Sequence, residues 1–206
     1  MIDRSIKMKN MLRLALLSLM LGLASPAYGQ SAERIIGCAR SEANGTRTLC
    51  HEVVVAASTD EVWQLFASSA GMQTWLAPLA TMDLRVGGLW ETSYRADARA
   101  GDPGNIRNRV LSFIPGRMLS IAVDRAPEGF PEPELVRDLW TVIELEAVDA
   151  SHTRVAVSMM GFASNPGHER LYQFFQAGNA LTLQMLEQRI VTGPTDWAAL
   201  AARSRP

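Results

Sequence analysis

Few residues in this chain of 206 suggest chemistry, and they are scattered. His51, His152 and His168 fall on an apolar run, a turn-like stretch and a helix start, and none has a second ligand at metal-binding spacing. All three read as surface histidines. No G-x-S-x-G, Walker or dinucleotide fingerprint is present, so no catalytic set, metal site or cofactor is expected. Two alternating patterns offer binding chemistry instead. Trp90, Thr92 and Tyr94 recur every second residue, opposite Glu91 and Arg95, which gives one strand face two aromatic rings and two hydroxyls. Pattern alone leaves this trio equally suited to lining a pocket and to filling a core. Arg107 and Arg109 alternate in register with Leu111 and Phe113. If that face turns inward, Arg109 offers a guanidinium fork to a carboxylate or phosphate. If it turns outward, Ile106, Asn108 and Val110 face in and both arginines are solvated.

One element is long enough to organise the rest. Asn165 can cap a helix, Pro166 suits its first turn, and Gly193-Pro194 supplies a stop. At a rise of ~1.5 Å per residue the intervening helix is a rod of roughly 40 Å, which can cross a whole sheet. Leu171, Phe174, Phe175, Gly178, Leu181, Thr182, Met185 and Leu186 share one side of it and are expected to face inward. Gly178 at the centre of that stripe costs about 1 kcal/mol relative to Ala. Its presence suggests room left for a ligand or for close packing.

Upstream, the 46–56 run reads as a first strand. Ser58 and Glu61 then have capping-box spacing for a helix over 59–67, Gly71 interrupts, and a second short helix fits 72–76. From Thr81 the period changes to two. Hairpins are expected at Gly87-Gly88, at Pro115-Gly116 and at 149–152, and a long Pro-bearing loop spans 124–138. On the last two strands Thr141, Ile143, Leu145, Val155, Val157 and Met159 are expected to point inward. The order β-α-α, six strands, α predicts an α+β fold. Its curved antiparallel sheet of about seven strands surrounds a long C-terminal helix, and two short helices follow strand 1.

The N-terminus reads as a separate segment. Arg4, Lys7, Lys9 and Arg13 precede a short apolar run, Leu14 to Ala24, and Ala27-Tyr28-Gly29 supplies small residues two apart. This predicts a signal peptide over 1–29 with cleavage after Gly29, and hence a periplasmic or secreted protein. The run is short for a membrane span of about 20 residues, so no stable span is expected after cleavage. A retained anchor is the alternative. Removing 1–29 takes four of the 20 Lys+Arg and one of the 21 Asp+Glu, which leaves a mildly acidic chain unsuited to nucleic acid. In an oxidising compartment the two cysteines, Cys38 and Cys50, are expected to pair and tie an extension over 30–48 to the domain at 49–193. Two free thiols are the alternative. A tail, 194–206, completes the chain and has a possible turn at Trp197.

The run Val54 to Pro78, VVAASTDEVWQLFASSAGMQTWLAP, resembles the opening of the helix-grip superfamily that includes START and Bet v 1-like (SRPBCC) proteins. Asp83 to Glu91, DLRVGGLWE, and Thr153 to Phe162, TRVAVSMMGF, resemble the branch named after the activator of Hsp90 ATPase (AHSA1-like). The resemblance implies a helix-grip fold with a cavity between sheet and C-terminal helix for a hydrophobic or amphipathic small molecule. Related chains often carry a polar residue at the position of Met159. The members include binders, cyclases and co-chaperones. A binding protein is therefore the first expectation, with a polyketide cyclase/hydrolase-type enzyme or a protein-interaction module as alternatives. The expected lining is Trp90, Thr92, Tyr94, Arg109, Leu111, Phe113, Met159, Phe174, Phe175, Gly178 and Met185.

Overall fold

A computed structural model of the chain describes residues 35–203. The expected signal peptide and its cleavage site lie outside the described residues. Two short strands, β1 (Ile36–Gly37) and β2 (Arg40–Ser41), precede β3 (Arg47–Val55). Helices α1 (Thr59–Ala67) and α2 (Ser69–Gln73) follow, then β4 (Leu79–Met82), β5 (Leu89–Ser93), β6 (Ile106–Ile114) and β7 (Met118–Arg125). A 3-10 turn at Leu135–Asp138 leads into β8 (Trp140–Ala147) and β9 (Thr153–Phe162). The chain closes with α3 (Pro166–Thr192) and α4 (Trp197–Arg203). The strands form one antiparallel sheet in the order β1-β3-β9-β8-β7-β6-β5-β4, with β2 also paired to β3. The seven expected strands are present, and the N-terminal extension adds two more.

Both edges of this sheet are blunted, as an exposed ladder would invite pairing with another chain. At one edge β1 and β2 lie on β3, held by the Cys38–Cys50 disulfide. At the other, α2 supplies side chains to β4: Ser69 Oγ accepts from Met82 N at 2.8 Å, and Gln73 Nε2 donates to Ala80 O at 2.8 Å.

The helices begin where side chains can cap them. Ser58 and Glu61 form the expected capping box on α1. The second short helix starts earlier than expected, because Ser68 Oγ accepts from Gly71 N and caps it at that point. Gly71 lies inside this helix and does not interrupt it. A Cβ there would sit 2.0 Å from Gln64 O, so only glycine lets α2 fold back on α1. On α3, Asn165 Oδ1 accepts from His168 N at 2.9 Å, and the helix ends at Gly193 as expected.

Alternation and pairing fix which side of the sheet faces the helices. Leu49, His51, Val53 and Val55 of β3 stand opposite Met159, Val157, Val155 and Thr153 of β9, and Val53, Val55, Val155 and Val157 join the core. Ile143 and Leu145 of β8, Leu119 and Ile121 of β7, Val110 of β6 and Trp90 of β5 complete the same inward face. Here α1, α2 and the turn after α2 seal it with Val62, Phe66, Met72 and Trp75. At the end of β9, Gly161 adopts φ +100, and a Cβ there would lie 2.5 Å from Asp138 O, so the position calls for glycine on both counts. The following Phe162 is thereby aimed into a second apolar cluster with Leu49, Met159 and Leu171.

Candidate functional site

The site is framed by the inward sheet face and α3, and α3 lies on it differently from the sequence expectation. Its buried residues are Gly167, His168, Leu171, Leu183, Leu186 and Glu187. At about 100° per residue the centre of that stripe is rotated by roughly a quarter turn from the predicted one. Phe174 is 47% exposed, Leu181 is 57% exposed, and a Cβ on Gly178 would meet nothing within 4 Å. The residue that faces inward at the midpoint of the helix is Asn179. Its side-chain Nδ2 is buried and has no hydrogen-bond partner.

Beneath that midpoint the apolar packing is interrupted. One core cluster contains Leu183 and Leu186 with Val53 and Val55; the other contains Leu171 with Leu49. His51 stands on β3 between Leu49 of the second cluster and Val53 of the first, and is 8% exposed. Its Nδ1 also lacks a partner. Burial lowers the His51 pKa below the ordinary 6.5 and so favours the neutral imidazole.

The eleven expected lining residues divide into two groups. Trp90, Thr92 and Met159 are buried on the inward face, and the Trp90 Nε1–H has no acceptor. Phe113 and Met185 are half-buried against the first cluster, and Phe175 against the second. Tyr94 lies past the end of β5 and is 59% exposed, so it does not continue the face of Trp90 and Thr92. Leu111 alternates with Arg109 onto the outer face and is 41% exposed, and the register shift between Val110 and Ser112 is what brings Phe113 inward opposite Leu119. Phe174 and Gly178 point away from the sheet.

Arg109 is the clearest correction. Val110 and Asn108 pair with Ile121 and Val123 on the inward face, so Arg107 and Arg109 stand on the opposite side. Both bind Asp124, and Arg109 Nη1 also donates to Gly87 O at 2.8 Å. These arginines hold the Asp124 carboxyl below its usual range despite its partial burial. On the same outer face Glu91 is buried under the 96–105 loop, accepting from Gly101 N at 2.8 Å and Asn105 Nδ2 at 2.7 Å. Glu144, Glu146 and Arg154 share this side. The charges of β5 to β9 therefore stand outside. Arg47, at the start of β3, reaches toward α3 but is engaged with Glu169 at 2.6 Å and with the ring of Tyr172.

The histidines differ from expectation as well. Only His152 is a surface residue, in a turn with Asp149. His168 is buried, and its Nδ1 accepts from Ala163 N at 2.7 Å, which joins the end of β9 to the start of α3. The missed pair, His51 and Asn179, left one signal: a polar residue inside an apolar strand, and another at the centre of a helix.

Two cavities among the described residues lie elsewhere. One of about 640 Å³ lies between the β6–β7 hairpin, β8 and the start of α1, and includes Arg117, Glu144 and Arg154. The other, about 350 Å³, separates the end of α3 from α4. The described residues contain no group of three or more His, Cys, Asp or Glu placed to hold a metal, and no helix long and apolar enough to cross a membrane.

The family described as Activator of Hsp90 ATPase homolog 1-like protein matches residues 56–190, well over half of the chain. No curated protein matches the sequence. Among solved structures, the fold is similar to the Aha1 dimer from Colwellia psychrerythraea, at 16% identity and a TM-score of 0.54, covering 71% of this chain and 97% of that one. It is also similar to a Mesorhizobium loti protein, at 21% identity and a TM-score of 0.55, with 78% and 100% covered. CalU16 from Micromonospora echinospora gives 19% identity, a TM-score of 0.55, and 82% and 91% covered. At these identities the likeness is one of fold.

Proposed function

From the premise that this chain belongs to the Activator of Hsp90 ATPase homolog 1-like family, we propose that it is an exported binding protein for a small amphipathic molecule held between the sheet and α3. One observation carries this reading: the apolar packing between them is divided, and the interval beneath the centre of α3 is bordered by buried polar atoms without partners. Buried donors and acceptors are nearly always satisfied, by protein, water or a ligand. The Cys38–Cys50 bridge suits an oxidising compartment and so agrees with export.

His51 is an inward titratable group of the kind an enzyme would use. Its inward neighbours on β3, Leu49 and Val53, and its partner Val157 are apolar, so none of these orients the ring. Binding without turnover fits this better than catalysis. A second reading, a protein-interaction module, draws support from the exposed stripe of Phe174 and Leu181 on α3.

Native mass spectrometry of protein purified from its own host tests these readings together. A small molecule that stays with the folded chain and is lost on denaturation is the expected result, with an intact mass that places the N-terminus after Gly29. A bare chain whose organic extract is empty overturns the binding reading. A bare chain found as a complex with another polypeptide favours the second one.

A further inference from the structure

We propose that His51 and Asn179 together seat the oxygen of an uncharged, largely apolar molecule, a carbonyl or hydroxyl compound and not a carboxylate or phosphate. The inference rests on the small-molecule reading above and specifies what that interval recognises. Both residues occupy the same interval between the same two anchors. Leu49 and Leu171 share one cluster; Val53, Leu183 and Leu186 share the other. His51 lies between the anchors on β3, and Asn179 lies between them on α3. Each leaves a buried nitrogen unpartnered, and the two do not bond to each other. Two buried nitrogens that leave one another unpaired can share an oxygen from a third body. Asn179 Nδ2 can only donate, and a neutral imidazole can donate or accept.

The surroundings decide the ligand's charge. Around His51 the inward face is apolar, with Val157 directly opposite it. Arg107 and Arg109 are on the outer face with Asp124, and Arg47 is committed to Glu169. An anion placed here would be desolvated without a counter-charge, an arrangement that costs several kcal/mol. A neutral oxygen needs only the two hydrogen bonds, and an apolar skeleton would find Leu49, Val53 and Phe175 beside it.

The test compares three probes of similar size: 1-tetralone with its carbonyl, tetralin without oxygen, and 1-naphthoate with a charge. Titration into the 15N-labelled chain is followed by two-dimensional NMR. The expected result is that tetralone binds about tenfold tighter than tetralin, the size of two modest hydrogen bonds, and that naphthoate binds more weakly still. His51→Leu and Asn179→Leu should each remove most of the tetralone advantage while leaving tetralin affinity within about twofold, and His51→Gln should keep part of it. Should His51→Leu fail to fold, Asn179→Leu at its half-exposed helix position provides the same comparison. If tetralin binds but tetralone has no advantage, or naphthoate binds as tightly as tetralone, this inference is overturned and the binding reading survives. If none of the three binds, both are overturned.

Discussion

The inward face of one sheet is covered in two ways. Toward α1 and α2, the cover is continuous and apolar: Trp75 is fully buried, its ring packs edge-on against Phe66 with centroids 5.2 Å apart, and its Nε1 donates to Leu65 O at 3.0 Å. Beneath the middle of α3, the cover is interrupted and its polar atoms are unmatched. The first arrangement is what a core needs for stability. The second contributes little to stability and makes sense as a place kept for something else. A residue at a binding gap should therefore be cheap to replace with an apolar one, whereas a residue in the sealed end should not.

That contrast predicts its own largest effect. Trp75→Ala removes a fully buried ring and should cost about 3–5 kcal/mol in urea denaturation. His51→Leu replaces an unpartnered polar group with an apolar one of similar size, and should be close to neutral or slightly stabilising. The comparison breaks if the two substitutions cost alike, since His51 would then be as much a part of the core as Trp75.

A smaller effect sharpens the description of α3. Gly178 has open space around it and lies within the helix, with its carbonyl accepting from Thr182 Oγ1 at 2.9 Å. Gly178→Ala should therefore stabilise the protein by up to about 1 kcal/mol, seen as a raised urea midpoint, with tetralin affinity unchanged. A loss of stability would mean that the glycine is needed for close approach.

How far the sequence leads depends on what each pattern measures. Strand and helix positions follow from local period and caps, and Ser58, Asn165 and Gly193 mark their boundaries as expected. The side of α3 that faces in was not legible, because Phe174 and Leu181 make the outer side apolar while the inner one carries His168, Asn179 and Glu187. Only tertiary packing chooses between the two. The face of β6 was undecidable for a similar reason. Alternation places Arg107 and Arg109 together, but their partner Asp124 lies on the next strand beside a register shift. Tyr94 follows the period of two perfectly well, yet the strand ends before it does.

The finest test of the interrupted cover is its response to acid. Burial lowers the His51 pKa in the folded chain below its ordinary value of 6.5. As pH falls, the unfolded chain takes up this proton first, so it gains free energy that the folded chain does not. The contribution of His51 should therefore be level at neutral pH and above, turn unfavourable as pH drops below about 6.5, and stop changing once the folded form is also protonated. Urea midpoints from pH 7.5 to 5.0 for the native chain and for His51→Leu isolate this contribution, because every other ionisable group is common to both. The native chain should lose more stability over that interval. Equal slopes would mean that the imidazolium finds water or an acceptor beneath α3. The gap would then be wet and polar enough to hold a charge, and the restriction to neutral ligands would lose its physical basis.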